Sequence, residues 1–102
     1  MKYENVTAIA EGNVYFDGKV ISHTIIAADG AQKTLGVMLP GEYHFNTKAA
    51  EIMEVAAGSC TYILDGTTEL KTVPAGSSFN VPADSGFTMT AVETCHYVCS
   101  YL

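Results

Sequence analysis

A chain of 102 residues closes one hydrophobic core and is too short to close two. With 48% hydrophobic and 16% charged residues it has the make-up of a globular domain and not that of a disordered segment. Its net charge of −6, with five basic residues that are all lysine, repels polyanions and argues against nucleic acid as a partner.

Residues 1–12 spread charge through their length and hold no apolar stretch of the kind a signal peptide needs, so none is expected. They read as an N-terminal extension of unassigned structure, followed by one domain over residues 13–102. From there no stretch sustains a helical apolar stripe. Short segments rich in Val, Ile, Tyr, Phe and Thr alternate with turn signals instead. The predicted strands fall near 13–16, 19–27, 34–39, 42–46, 51–57, 60–64, 69–73, 78–82, 86–92 and 95–101. Between them lie Phe16-Asp17-Gly18, Asp29-Gly30, Pro40-Gly41, Asp65-Gly66, Pro74-Ala75-Gly76 and Asp84-Ser85-Gly86. The clearest hairpin runs Tyr62–Asp65, Gly66, Thr67–Leu70. The longest apolar run, Ile25–Ala28, is far short of a membrane span, so no membrane is expected and the cytoplasm is the default location. Strands at this spacing predict an all-β sandwich or barrel.

Cys60, Cys95 and Cys99 are odd in number. On one strand Cys95 and Cys99 stand roughly 13 Å apart, well beyond the ~7 Å that a disulfide tolerates between Cα atoms. All three are expected to be reduced thiols in the core.

The stretch Gly36-Val-Met-Leu-Pro-Gly-Glu42-Tyr43-His44, ending on Glu51 and Gly58, resembles the first cupin motif, and Pro74-Ala75-Gly76-Ser77-Ser78-Phe79 resembles the second. The resemblance implies a single cupin-like β-barrel of the jelly-roll type, with Glu42 and His44 at the two metal-ligand positions. Side chains two apart on a strand share a face, so both are expected in the lumen, with Tyr43 and Phe45 on the other side. Two departures stand out: the gap from His44 to Glu51 is long, and Phe79 occupies the place of a ligand histidine. One remaining imidazole suits iron or zinc poorly, so no metal and no other cofactor is expected. His23 and His96 lie outside both motifs and read as ordinary strand histidines.

Asn13–Val20, Gly36-Val-Met38, Gly41-Glu-Tyr43, Phe45-Asn-Thr47, Gly76–Pro82 and Cys99–Leu102 together resemble the pyrimidine/purine nucleoside phosphorylases, small cupin-fold bacterial enzymes. The resemblance runs from about residue 13 to the C-terminus. It implies phosphorolysis of many nucleosides to free base and ribose 1-phosphate, with nucleosides and inorganic phosphate as partners and a homodimer as the assembly. In such a reaction phosphate attacks C1′ through a transition state of oxocarbenium character, which a nearby carboxylate stabilises. Glu42 and Glu51 are the candidates for that role, His44 for a hydrogen bond in the pocket and Phe79 for stacking on the base. For phosphate no arginine is available. Lys19 and the hydroxyl-bearing or backbone-amide turns at Thr47 and Ser77 are the candidates. The plainer readings are a turn carboxylate for Glu42, a strand-end charge for Glu51, core packing for Phe79 and a solvated lysine for Lys19. Two other functions compete: a metal-dependent cupin enzyme using Glu42, His44 and Glu51, and a non-catalytic cupin that binds a small metabolite or serves as a scaffold.

Overall fold

The computed structural model describes residues 1–102. Its strands in chain order are β1 (Thr7–Ala8), β2 (Asn13–Tyr15), β3 (Val20–Ile26), β4 (Gln32–Met38), β5 (Gly41–Asn46) and β6 (Glu51–Ala57). They continue as β7 (Ser59–Leu64), β8 (Lys71–Pro74), β9 (Ser78–Val81), β10 (Gly86–Ala91) and β11 (Cys95–Tyr101). A tight turn over Phe16–Gly18 joins β2 to β3. No helix is long and apolar enough to cross a membrane.

The strands form two antiparallel sheets. The larger runs β1-β3-β4-β11-β6-β9, with β2 also on β3, and the smaller runs β5-β10-β7-β8. This is the expected all-β, cupin-like architecture. The sheets face each other as a sandwich and do not hydrogen-bond into a closed barrel. Between them lies one apolar core that includes Val20, Met38, Met53, Val55, Val81, Phe87 and Met89. Burying these side chains is worth about 1.5–3 kcal/mol each, which is what holds the two layers together.

An aromatic ladder runs through this core. Tyr62 lies flat on Phe79 with ring centres 3.7 Å apart, Phe79 meets Phe87 edge-on at 5.6 Å, and Phe87 stacks on Phe45 at 5.3 Å. Phe45 then meets Phe16 at 5.5 Å, where the ladder reaches the mouth of the sandwich.

Two local expectations are corrected. The β7–β8 hairpin pairs Tyr62 with Lys71, so its connection is Asp65–Leu70 and the partner strand starts later than Thr67. The backbone amide and hydroxyl of Thr67 both bond back to the Leu64 carbonyl, which curls the chain where an extended strand was expected. The sulfurs of Cys60 on β7 and Cys95 on β11 are in contact across the two sheets, with Cα atoms 7.0 Å apart. Distance along one strand could not reveal a pair brought together from different sheets. Cys99 alone is a separate, buried thiol.

Candidate active site

Strand parity decides which side chains enter the space between the sheets. On β5, Tyr43 is buried and Phe45 half-buried, while Glu42, His44 and Asn46 alternate with them and are exposed. Two aromatic rings gain far more from burial than a carboxylate and an imidazole, so the hydrophobic side of the strand turns inward. The expected placement of Glu42 is therefore corrected: it is exposed and does not line the cavity described below, whereas His44, also exposed, stands at that cavity's edge. The His44 imidazole crosses the small sheet to Asp65, its Nε2 lying 2.9 and 3.0 Å from the two carboxylate oxygens. Gly86 on the intervening β10 makes this possible, because a Cβ there would meet Asp65 Oδ2 at 2.5 Å.

On β6 the parity is the reverse. Glu51, Met53 and Val55 turn inward, and Glu51 enters a cavity of about 250 Å³ at one end of the sandwich. That lies just below the ~300 Å³ at which drug-sized ligand sites begin, room for one small molecule. The cavity has two unlike walls. The large sheet supplies Ser22 from β3, Glu51 from β6, and Tyr97, Cys99 and Tyr101 from successive inward positions of β11. Opposite stand the rings of Phe16, Phe45 and Phe87. No lysine lines it.

The polar wall is internally bonded. The Cys99 thiol donates to Glu51 Oε1 at 3.3 Å, and the hydroxyls of Thr34 and Tyr101 lie 3.4 Å apart. Burial raises the Glu51 carboxyl above its ordinary value, and the bond from Cys99 partly offsets this. Cys99 is pushed up to about 12, first by burial and then by the charge of Glu51, so it stays a neutral thiol. Burial likewise pushes Tyr101 up to about 12 and lifts Tyr97 further still. The wall thus presents neutral hydroxyl and thiol donors around one carboxyl group. Gly36 on β4 makes room for it: a Cβ there would sit 2.2 Å from Tyr97 Cζ, so only glycine lets that ring lie across β4.

Of the residues singled out in the sequence as site candidates, Glu51 and His44 both line the cavity, and the His44 ring is bonded to Asp65. Thr47 is buried and committed, its hydroxyl donating to the Pro82 carbonyl at 2.7 Å and accepting from the Ser85 amide at 3.0 Å. Ser77 closes the turn after β8, where its carbonyl accepts from Val55, at the opposite end of β6 from Glu51. Phe79 is a core ring between Tyr62 and Phe87 and does not line the cavity. Lys19 is exposed just past the Phe16–Gly18 turn. The three ligands required by a metal-dependent reading, Glu42, His44 and Glu51, do not converge, and no cluster of three or more metal-binding side chains forms elsewhere.

Sequence reasoning missed Phe16, Ser22, Tyr97, Cys99 and Tyr101. The alternation Cys95, Tyr97, Cys99, Tyr101 marked one face of β11, but only its register with β6, which sets Tyr101 opposite Glu51 and Cys99 opposite Met53, turns that face into a site.

Comparison with known proteins matches residues 10–101 to the family model for pyrimidine/purine nucleoside phosphorylase. A relative of that name from Paraburkholderia xenovorans is 54% identical over 99% of this chain and 95% of its own. A solved protein of unknown function from Acinetobacter shares 41% identity and superimposes with a TM-score of 0.97, covering 99% of this chain and 98% of its own. A cupin-superfamily protein from Desulfitobacterium hafniense, at 12% identity and a TM-score of 0.69 over 88% of this chain and 83% of its own, shares the fold alone.

Proposed function

Because the chain belongs to the pyrimidine/purine nucleoside phosphorylase family, we propose that its two-walled cavity is where a nucleoside reacts with inorganic phosphate to give free base and ribose 1-phosphate. One observation carries the assignment of the site: Glu51 is the one acidic side chain among the cavity's lining residues, and it is set in a row of hydroxyl donors facing aromatic rings. That arrangement suits a nucleoside, whose ribose is polar and whose base presents flat apolar faces.

Phosphate oxygen attacks C1′ as the bond from C1′ to the base nitrogen breaks, and the electron pair leaves with the base. Positive charge builds on the ribose ring in between. Glu51 stabilises it directly or by accepting a hydrogen bond from a ribose hydroxyl, and the enclosed position makes that interaction stronger than it would be in water. The Ser22, Tyr97 and Tyr101 hydroxyls hold the remaining sugar and phosphate oxygens. With no lysine among the lining residues, phosphate is held by neutral donors, and Lys19, exposed just past the Phe16–Gly18 turn, is the candidate for a supporting positive charge. Binding of this kind reads the sugar and the flat faces of the base, which suits both purines and pyrimidines.

The reading extends to a homodimer in the cytoplasm. Ile21 and Val37, each 39% exposed on the outer side of the large sheet, support the dimer as an apolar surface that pairing would cover. The deciding experiment incubates the purified protein with uridine or inosine, with and without phosphate. Release of base together with ribose 1-phosphate, strictly dependent on phosphate, is expected. Absence of release, or release of free ribose without phosphate, overturns it.

A further inference from the structure

The turn that joins β2 to β3 is built against backbone preference. Phe16, Asp17 and Gly18 have φ values of 52°, 57° and 87°, so two residues with side chains precede the glycine in left-handed geometry. A bulky aromatic residue is uncommon there, and such strain persists where the surrounding structure enforces it, often at ligand sites. Burial of the ring does not explain it, because Phe16 is 42% exposed. Its contacts are a tilted approach to Tyr43 at 5.0 Å and an edge-on approach to Phe45 at 5.5 Å, which brace the ring in position. Neither is a parallel stack. The stacking position over Phe16 is therefore not taken by a protein ring, unlike that of Phe79, which Tyr62 fills. Phe16 also lines the cavity, opposite the polar wall that carries Glu51.

We infer that Phe16 is the platform on which the base of a bound nucleoside stacks, held at the cavity mouth by the left-handed turn. A flat aromatic face accepts any nucleobase, because each has a π-face of its own, whereas hydrogen bonds to base edges would select among them. Breadth of specificity then follows from one ring. This assignment rests on the phosphorylase reading above and names the residue that meets the base within that site.

The test compares Phe16→Ala, Phe16→Gly and Phe16→Tyr with the parent enzyme. Loss of the ring in the Ala and Gly variants is expected to lower kcat/KM for uridine and for inosine by about 5- to 150-fold, the range for base–aromatic stacking. The loss falls on KM, and inhibition by free uracil and hypoxanthine weakens in parallel. The KM for ribose 1-phosphate in the reverse reaction stays within about twofold, since stacking touches the base alone. Phe16→Tyr keeps the rate within about threefold, having the same face. Phe16→Gly melts above Phe16→Ala, because glycine adopts the left-handed turn without strain. Unchanged inhibition by free bases in a well-folded Ala variant overturns the platform and leaves the ring a packing element. A loss confined to one class of base also overturns it, by making Phe16 a shape filter. If the parent shows no phosphorolysis, the phosphorylase reading fails by itself, and direct binding of uridine to parent and Phe16→Ala then decides the stacking role.

Discussion

Replacing Glu51 by glutamine keeps the shape of the side chain and its hydrogen-bonding reach but removes the charge. Glu51 is the one acidic side chain among the residues lining the cavity, so no other carboxylate there can take over the stabilisation of an oxocarbenium-like sugar. A hydrogen bond to a charged group contributes about 1.5–3 kcal/mol. At ~1.4 kcal/mol per decade, kcat/KM for uridine phosphorolysis should fall about 10- to 150-fold. Stability should move the other way. Burial raises the Glu51 carboxyl in the folded protein above its ordinary value of 4.5, and the Cys99 bond offsets this only in part. The folded state therefore binds that proton more tightly than the unfolded chain. The contribution of Glu51 to stability is full below pH 4.5 and is lost as pH rises through the higher folded value. Glutamine does not titrate, so the melting temperature of Glu51→Gln should gain on the parent between acid and neutral pH. Steady-state kinetics at pH 7 and melting curves from pH 4 to pH 8 measure both effects. A turnover equal to the parent's, or a melting difference that ignores pH, refutes the placement of an ionised, partly desolvated carboxylate at the reacting sugar.

Gly36→Ala drives a Cβ into the Tyr97 ring. Overpacking of this kind costs about 1–3 kcal/mol. Thermal melting should register it, and the displaced phenol should lower turnover as well; an unchanged melting point would show that the ring has free room. Glu42→Gln and His44→Thr change exposed groups, and the exposed His44–Asp65 pair is worth at most about 1 kcal/mol. Both variants should keep kcat/KM within about threefold of the parent, a change under ~1 kcal/mol in the barrier, and a large loss in either would place that side chain in the chemistry. Phe79→Leu breaks contacts with Tyr62 and Phe87, each worth about 0.5–1.5 kcal/mol. It should melt roughly 5–20 °C lower at about 4–8 °C per kcal/mol. Its folded fraction should turn over normally; selective loss of purine turnover would return Phe79 to the substrate site.

The all-β architecture was legible in the chain because it is written locally. Alternating apolar residues and turn signals from Asp29-Gly30 to Asp84-Ser85-Gly86 mark where strands begin and end, and the ordered short motifs from Asn13 to Leu102 point to the family. Glu51 was legible for the same reason, as a carboxylate at a motif position on an inward-facing strand. What the sequence could not settle were matters of parity and partnership. The motif spacing identified Glu42 and His44 as a pair sharing a face, but which face turns inward was decided by the competing demand of Tyr43 and Phe45 for burial. Slipping a strand by one residue exchanges every side chain between core and solvent, so the energy that settles it is summed over the whole sandwich. Likewise Cys60 meets Cys95, Gly36 admits Tyr97, and Tyr101 stands opposite Glu51 only once two sheets have docked in one register. The residues that line the cavity lie as far apart in the chain as Phe16, Glu51 and Tyr101, and local signals carry no record of contacts made at that distance.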